Sequence, residues 1–583
     1  MKKILFLFLL FCTYAFSQIL LPDDLKPGMK GYGLTVFKGQ KIQKFNVEIL
    51  GVLKNTRVKG DLILAKLSGG PLAETGVIAG MSGSPVYVSN KLIGAVAFSW
   101  SFAKEPIAGI TPIHDMLSLF NQSLPTNSFK GIPNYQKNES ENNSSIKIQN
   151  FRNQNFVLKR ISTPLMVSGV DEKLINVLSL KFNDTSFLPI QGGNTAFEPN
   201  LQTNFEPGSA IAIRLVTGDL NLSGVGTVTY KKGNKLLIFG HPMFQRGYFH
   251  YPIAPANIIT VFPGYQLSFK IGSAGPIVGQ TVQDRQYAVS CEVGPKPTML
   301  PVHLTQNYGD NVYTYSYNII NDYLYTQRFL TTCIVSAITH DKSPREKDSF
   351  YISTKISLND GKQLILSNLY SELTTLINVY DAISELTMPI QKLILNPFKS
   401  VEITNIDVTI HQSDKIHIAE IKNLKLLNRG KIYPGDTLNI AILLQPYQKS
   451  IITTNIQVKL PASIKPGMIT LFLSSAKEEK MTDTFFAPDR FSPQTYDQLL
   501  NFFQDQDRNN ELVVWGLAKS PGLYIKGEKF PNLPQSKFKI LQQSNEDSQS
   551  AMAVKFKKKI TTPYVLYNYK KLNIKISKNT FGR

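Results

Sequence analysis

Cysteine is scarce in this 583-residue chain, with three residues in all. Cys12 falls in an N-terminal leader, which leaves Cys291 and Cys333. Two readings of that pair stay open: one bridge in an oxidising compartment, or two buried free thiols in strands. No Cys pair or His pair stands at metal-ligand spacing, so metal chemistry has no support and no cofactor is expected. No Gly-rich phosphate loop of P-loop or Rossmann type is present, and no nucleic-acid-binding motif. Beyond the leader, no apolar run is long enough to cross a bilayer. Acidic residues are also in short supply, 42 against 63 Lys and Arg, for a formal net charge of +21. That balance permits peripheral contact with anionic envelope surfaces, although a lysine-rich solvated surface is the favoured explanation.

What is present at the N-terminus reads as a secretory signal over residues 1–17. Lys2 and Lys3 form the positive region, Ile4 to Phe11 the apolar region, and Ala15 and Ser17 the small residues before Gln18. The mature chain is therefore expected to be exported, periplasmic or extracellular. Its length exceeds what a single core serves. Short alternating strands bounded by Gly and Lys turns make it mainly β.

The most informative stretch is Gly80-Met81-Ser82-Gly83-Ser84-Pro85. It leads into a hairpin, Val86 to Val88 and Leu92 to Phe98 about a Ser89-Asn90-Lys91 turn. Glycines on either side of a serine permit positive φ and close approach of a ligand to the main chain. An exposed hydroxyl beside free N–H groups is what a nucleophilic serine requires.

The pattern Gly80-x-Ser82-Gly83-x-Pro85 resembles the nucleophile turn of chymotrypsin-like serine peptidases. The longer run from Glu74 to Pro85, with Lys91 to Val96, is similar to the SpoIVB peptidase family. A second stretch carries the same likeness: Gly224 to His241, then Ser268 to Ile271, Gly275 to Gly279 and Asp284-Arg285. The resemblance implies two small chymotrypsin-like β-barrels and a serine endopeptidase acting on a protein or peptide substrate. By it Ser82 is the nucleophile and His241 the general base. From the residues themselves, His241 is the only one of seven His at a Gly-His-Pro strand exit, and His is the usual base near neutral pH. Its alternative is a hydrogen-bonded strand-end histidine. A working pair would hold Ser82 Oγ about 3 Å from the ring. Asp284 is the candidate third member, at a His-to-Asp spacing like that of chymotrypsin-like enzymes. Asp219 and Asp61 are the alternatives. The backbone N–H groups of Gly80 and Ser82 would form the oxyanion hole. Trp100 and Phe102 either wall a substrate pocket or are ordinary core and rim aromatics.

Two departures from the family stand out. The serine precedes the histidine by 159 residues, the reverse of the usual order, which requires the two β units to be exchanged in sequence. The carboxylate that the family's namesake carries just upstream of its serine is replaced here by Ser68 and Gly69. These departures favour a second reading, a catalytically inactive envelope scaffold that keeps the fold.

Taken in order, residues 18–120 form a β unit with strands at 31–37, 45–53 and 62–67 and a short helix opened by Thr111-Pro112. Residues 121–155 read as an Asn/Ser-rich linker. Residues 156–345 form the His-bearing β unit. Its Gly224 to Lys231 faintly echoes Gly31 to Lys38. Residues 346–398 are expected to be a helical bridging segment, from the apolar spacing of Leu364 to Leu386. Residues 399–478 read as an Ig-like β-sandwich. Residues 479–583 form an α+β region with a short helix opened by Ser492-Pro493 and a basic tail from Lys555 to Lys571.

Overall fold

The computed structural model describes residues 19–57, 60–100, 103–121, 146–148, 156–182, 187–193, 201–340, 348–371, 373, 375–462, 464–476, 493–518, 522–525, 528–530, 533–544, 549–551 and 554–578. The leader, most of the 121–155 linker and Phe102 lie outside them. The fold is mainly β, 52% strand and 17% helix. Two compact units divide at Thr298/Met299.

The first unit opens with β1 (Lys30–Val36), β2 (Ile42–Arg57), β3 (Gly60–Ser68), β4 (Ile78–Ala79), β5 (Pro85–Val88), β6 (Lys91–Ser99) and β7 (Ile107–Pro112). Six of these pair in the cyclic order β5-β1-β2-β3-β7-β6, and the β5–β6 hairpin closes the ring. A closed ring leaves no sheet edge and seals a core, here Phe45, Val47, Ile49, Leu67, Val86 and Val96 among others. The alternation Phe45-x-Val47-x-Ile49 supplies β2's inward face, as its period of two requires.

A helix over Ile113–Asn121 follows. The Thr111-Pro112 pair is not its cap, as the sequence suggests: Pro112 ends β7, and the Thr111 hydroxyl is engaged elsewhere. Next come β8 (Ile146–Ile148), β9 (Phe156–Arg160), β10 (Thr163–Ser168), β11 (Phe187–Gln191), β12 (Ala210–Gly218), β13 (Asn221–Lys232), β14 (Lys235–Ile238), β15 (Gly247–Tyr248), β16 (Pro252–Phe262), β17 (Ser268–Ala274), β18 (Gly279–Arg285) and β19 (Ala288–Val293). Six of them pair as β13-β14-β19-β18-β16-β12, and the β12–β13 pairing closes a second ring. The two barrels expected from the sequence are thus present, serine-bearing one first.

The faint echo between the barrels has a physical counterpart. A Cβ on Gly33 would sit 2.1 Å from the Phe45 ring, and a Cβ on Gly226 2.2 Å from the Phe239 ring. Each barrel uses a glycine in a long strand as the bed for an aromatic ring, and only glycine fits.

In the second unit a five-stranded sheet has the order Asn311–Ile319, Leu300–Tyr308, Ile403–Ser413, Ser349–Leu358, Gln363–Ser371. The helical segment read at 364–390 is part strand: Gln363–Ser371 pairs with Ser349–Leu358, and the helix runs Leu376–Ile394. Leu364 and Leu366 are two apart, strand spacing inside a run whose later members are helical. Likewise Ile403–Ser413, assigned to the sandwich from sequence, pairs with Leu300–Tyr308 and Ser349–Leu358.

The sandwich itself spans 418–576. Its two four-stranded sheets share a core that includes Leu438, Ile440, Leu471, Leu473, Leu512, Val514 and Ile574. One edge pairing, Ile418–Glu420 with Val565–Tyr567, is parallel. The Ig-like reading therefore goes no further than a two-sheet sandwich, and the tail supplies strands to both sheets. Lys557 and Lys559 in that tail are ion-paired to the carboxylate of Asp507. The short helix begins at Tyr496, capped by the Thr495 hydroxyl, three residues later than Ser492-Pro493 suggests.

Candidate active site

Ser82 lies in the connection between β4 and β5. Met81 N donates to Ile78 O (3.0 Å) and Ser84 N to Met81 O (2.9 Å), so the chain doubles back at the serine. Gly80 and Gly83 adopt φ of 96° and 92°, the left-handed region open to glycine. Gly83 N donates to Val96 O (2.8 Å) and Val96 N to Ser84 O (3.0 Å), which ties the turn to β6.

The outer side of the turn is clamped to β13 of the second barrel. Thr227 N donates to Ser82 O (2.9 Å), Thr227 Oγ1 to Gly80 O (3.0 Å) and Thr229 Oγ1 to Gly83 O (2.7 Å). The fit is close enough that a Cβ on Gly83 would lie 2.1 Å from Thr227 O and 2.5 Å from Phe239 N. Phe239 N in turn donates to Thr227 O (3.4 Å). Two residues after Phe239 comes His241. A short path of backbone contacts thus joins the serine to the histidine strand exit across the barrel junction.

At that exit Phe239 and Gly240 take φ of 68° and 67°. A bulky non-glycine residue in this region is strained and persists only where its surroundings fix it. Here the Phe239 ring lies on Gly226, while Gly240 lies against β6 and β7. Its O accepts from Thr111 Oγ1 (2.6 Å), and a Cβ on it would stand 3.1 Å from the Ala95 methyl. His241 is fully buried, its Nδ1 2.8 Å from Pro242 O. A carbonyl only accepts, so in the neutral ring Nδ1 carries the proton and Nε2 the basic lone pair. That is the tautomer a general base needs.

Ser82 Oγ is itself fully buried and has no hydrogen-bond partner among the described residues. The 3 Å contact expected of a working Ser82–His241 pair is not made in this structure.

Asp284, on β18, lies in the same barrel as His241. Its carboxylate accepts from Met243 N (3.0 Å) and Phe244 N (2.5 Å), and the N–H groups of Gln245 and Arg246 also stabilise its ionised form. The loop that follows His241 is wrapped around a fully buried carboxylate. Burial outweighs these bonds and pushes the carboxyl up to about 6. The alternatives fare differently: Asp61 pairs with Lys54 (2.8 Å) and caps Asn55 N, and Asp219 stands in the turn between β12 and β13. Trp100 packs on Leu62, Phe98 and Leu158, a rim aromatic of the first barrel. Cys291 and Cys333 are both free and buried.

Sequence reasoning missed Thr227 and Thr229, which fasten the turn, Thr111, which holds Gly240, and Lys270, whose stem lies against Gly80. The alternation Thr227-x-Thr229 in the buried stretch of β13 was the available signal for a polar face.

Comparison with known proteins bears on the first barrel. Residues 15–117 match the family model of the SpoIVB peptidase, S55. The barrel that carries Ser82 is similar to a serine peptidase. The S55 match takes in β1 to β7 and the whole Ser82 turn. It stops before β13 and His241, and covers under a fifth of the chain (103 of 583 residues). No curated protein and no solved structure matches the chain.

Proposed function

We propose that the chain is an exported serine endopeptidase acting on proteins of the cell envelope, with Ser82 as nucleophile and His241 as general base. The observation that carries this reading is the clamp of the Ser82 turn onto β13, whose partner β14 leads, three residues on, to His241. Ser82 Oγ would attack the peptide carbonyl while His241 Nε2 takes its proton and later returns it to the leaving amine. The backbone N–H groups of Gly80 and Ser82 would hold the carbonyl oxygen as it becomes an oxyanion. Asp284 acts on this pair through the loop it organises, fixing the backbone that follows His241.

The full burial of Ser82 and its unmade hydrogen bond favour a second reading, a closed precursor or a catalytically silent scaffold. Labelling of the mature chain by a fluorophosphonate probe, beside Ser82→Ala and His241→Ala, separates the two. Labelling lost in both variants supports the peptidase. A folded wild-type chain that takes no probe supports the scaffold.

A further inference from the structure

Lys270 is fully buried, on β17, the strand that pairs in parallel with β4: Ser268 opposite Ile78 and Phe269 opposite Ala79. The next step of that register sets Lys270 against Gly80. A Cβ on Gly80 would lie 3.1 Å from Lys270 Cδ and 3.3 Å from Cγ. The amine bonds Thr35 Oγ1 (2.9 Å), itself fully buried on β1. In the same turn, the buried hydroxyls of Ser82 and Ser84 have no partner among the described residues. A lysine is rarely buried whole without a carboxylate, because the ammonium loses its hydration with nothing opposite to replace it. None of the mechanism above uses it.

We propose that Lys270 is a positioning residue for the Ser82 turn, its stem backing the Gly80 arm of the oxyanion hole and its amine setting the charge behind it. This rests on the reading of Ser82 as nucleophile. Thr35 from β1 and Gly80 from the turn are among the neighbours that meet the side chain, neither of them charged, and no charged group shifts the amine. Burial alone brings the amine down to about 7. The charge behind the turn is therefore present below neutrality and absent above it. An ammonium held behind the turn, as proposed, assists formation of the tetrahedral adduct, whereas a stem that merely packs does so equally at every pH.

The test is the rate of fluorophosphonate inactivation of the full mature chain between pH 6 and pH 9, for wild type, Lys270→Met and Thr35→Val. Lys270→Met keeps the length of the stem and removes the charge. At pH 6 it is expected to react roughly ten-fold more slowly than wild type, and at pH 9 within about two-fold of it. Thr35→Val is expected to show a smaller loss with the same trend. A rate ratio that is flat with pH, or equal rates throughout, in a variant with wild-type circular dichroism overturns the proposal. If Lys270→Met does not fold, a flat ratio for Thr35→Val does so alone. A wild-type chain that takes no probe removes the nucleophile reading instead. Amide exchange over residues 77–84 at pH 6 then decides: roughly ten-fold faster exchange in Lys270→Met or Thr35→Val retains the turn-holding role, and unchanged exchange overturns it.

Discussion

The two barrels hold their site-bearing segments in opposite ways. The serine turn of the first, tied to β6 of its own barrel, is fixed in addition from outside: its carbonyls are taken by Thr227 and Thr229 of the other barrel, and its hydroxyls at Ser82 and Ser84 are left without partners among the described residues. The histidine loop of the second is fixed from inside, around the Asp284 carboxylate of its own barrel. A segment held through its backbone by a neighbour keeps its side chains uncommitted. One held around a buried charge is rigid but sensitive to that charge.

Substitutions at the junction break this contrast in graded steps. The largest effect is expected from Gly83→Ala. It combines a left-handed φ with a Cβ 2.1 Å from Thr227 O, so it forces the barrels apart or unfolds the turn. A loss of roughly 3–5 kcal/mol is expected, read from the denaturant midpoint.

Lys270→Met follows, and its effect depends on pH. The folded amine sits near 7 against an ordinary 10.5, so between those values the unfolded chain binds a proton that the native chain does not. Wild-type stability rises with pH across that window. The Met variant lacks the rise and gains most below pH 7, by up to roughly 5 kcal/mol, the gain vanishing towards pH 10.5. Thermal denaturation at pH 6, 8 and 10 measures it.

Asp284→Asn tests the inside-held loop. The carboxyl is near 6 in the folded chain and 3.8 ordinarily, so the native state holds the proton between them. Its contribution to stability is present below pH 3.8 and lost as pH rises through 6. The Asn variant should lose this slope, about 3 kcal/mol in full, and should react more slowly with the probe because the loop after His241 loosens.

Smaller still is Thr111→Val, which removes the hydroxyl on Gly240 O and should destabilise by about 1 kcal/mol. Ser82→Ala should leave stability within roughly 1 kcal/mol of wild type, because the hydroxyl it removes has no partner.

The same contrast explains what the sequence made legible. The Ser82 turn announces itself because its chemistry is local: Gly80 and Gly83 are demanded by φ and by contact, and both stand within three residues of the serine. β2 and the 86–98 hairpin were equally plain, since their alternation is a property of neighbours in the chain. His241 could be picked out by its Gly-Pro setting. The role of Asp284 could not, for it depends on the N–H groups of a loop some 40 residues away. Lys270 and Thr35 lie 235 residues apart, so nothing in either neighbourhood announces that they meet. The second unit misled for another reason. Leu364, Leu366 and Leu369 satisfy strand and helix periods together, and only pairing with Ser349–Leu358 decides between them.

The most direct test of the central claim is to locate the probe. After fluorophosphonate treatment of the mature chain, peptide mapping by mass spectrometry should find the adduct on the peptide containing Ser82, and none on that peptide in His241→Ala. An adduct on another residue, or an unchanged Ser82 adduct without His241, would contradict the pairing of the two barrels' site residues.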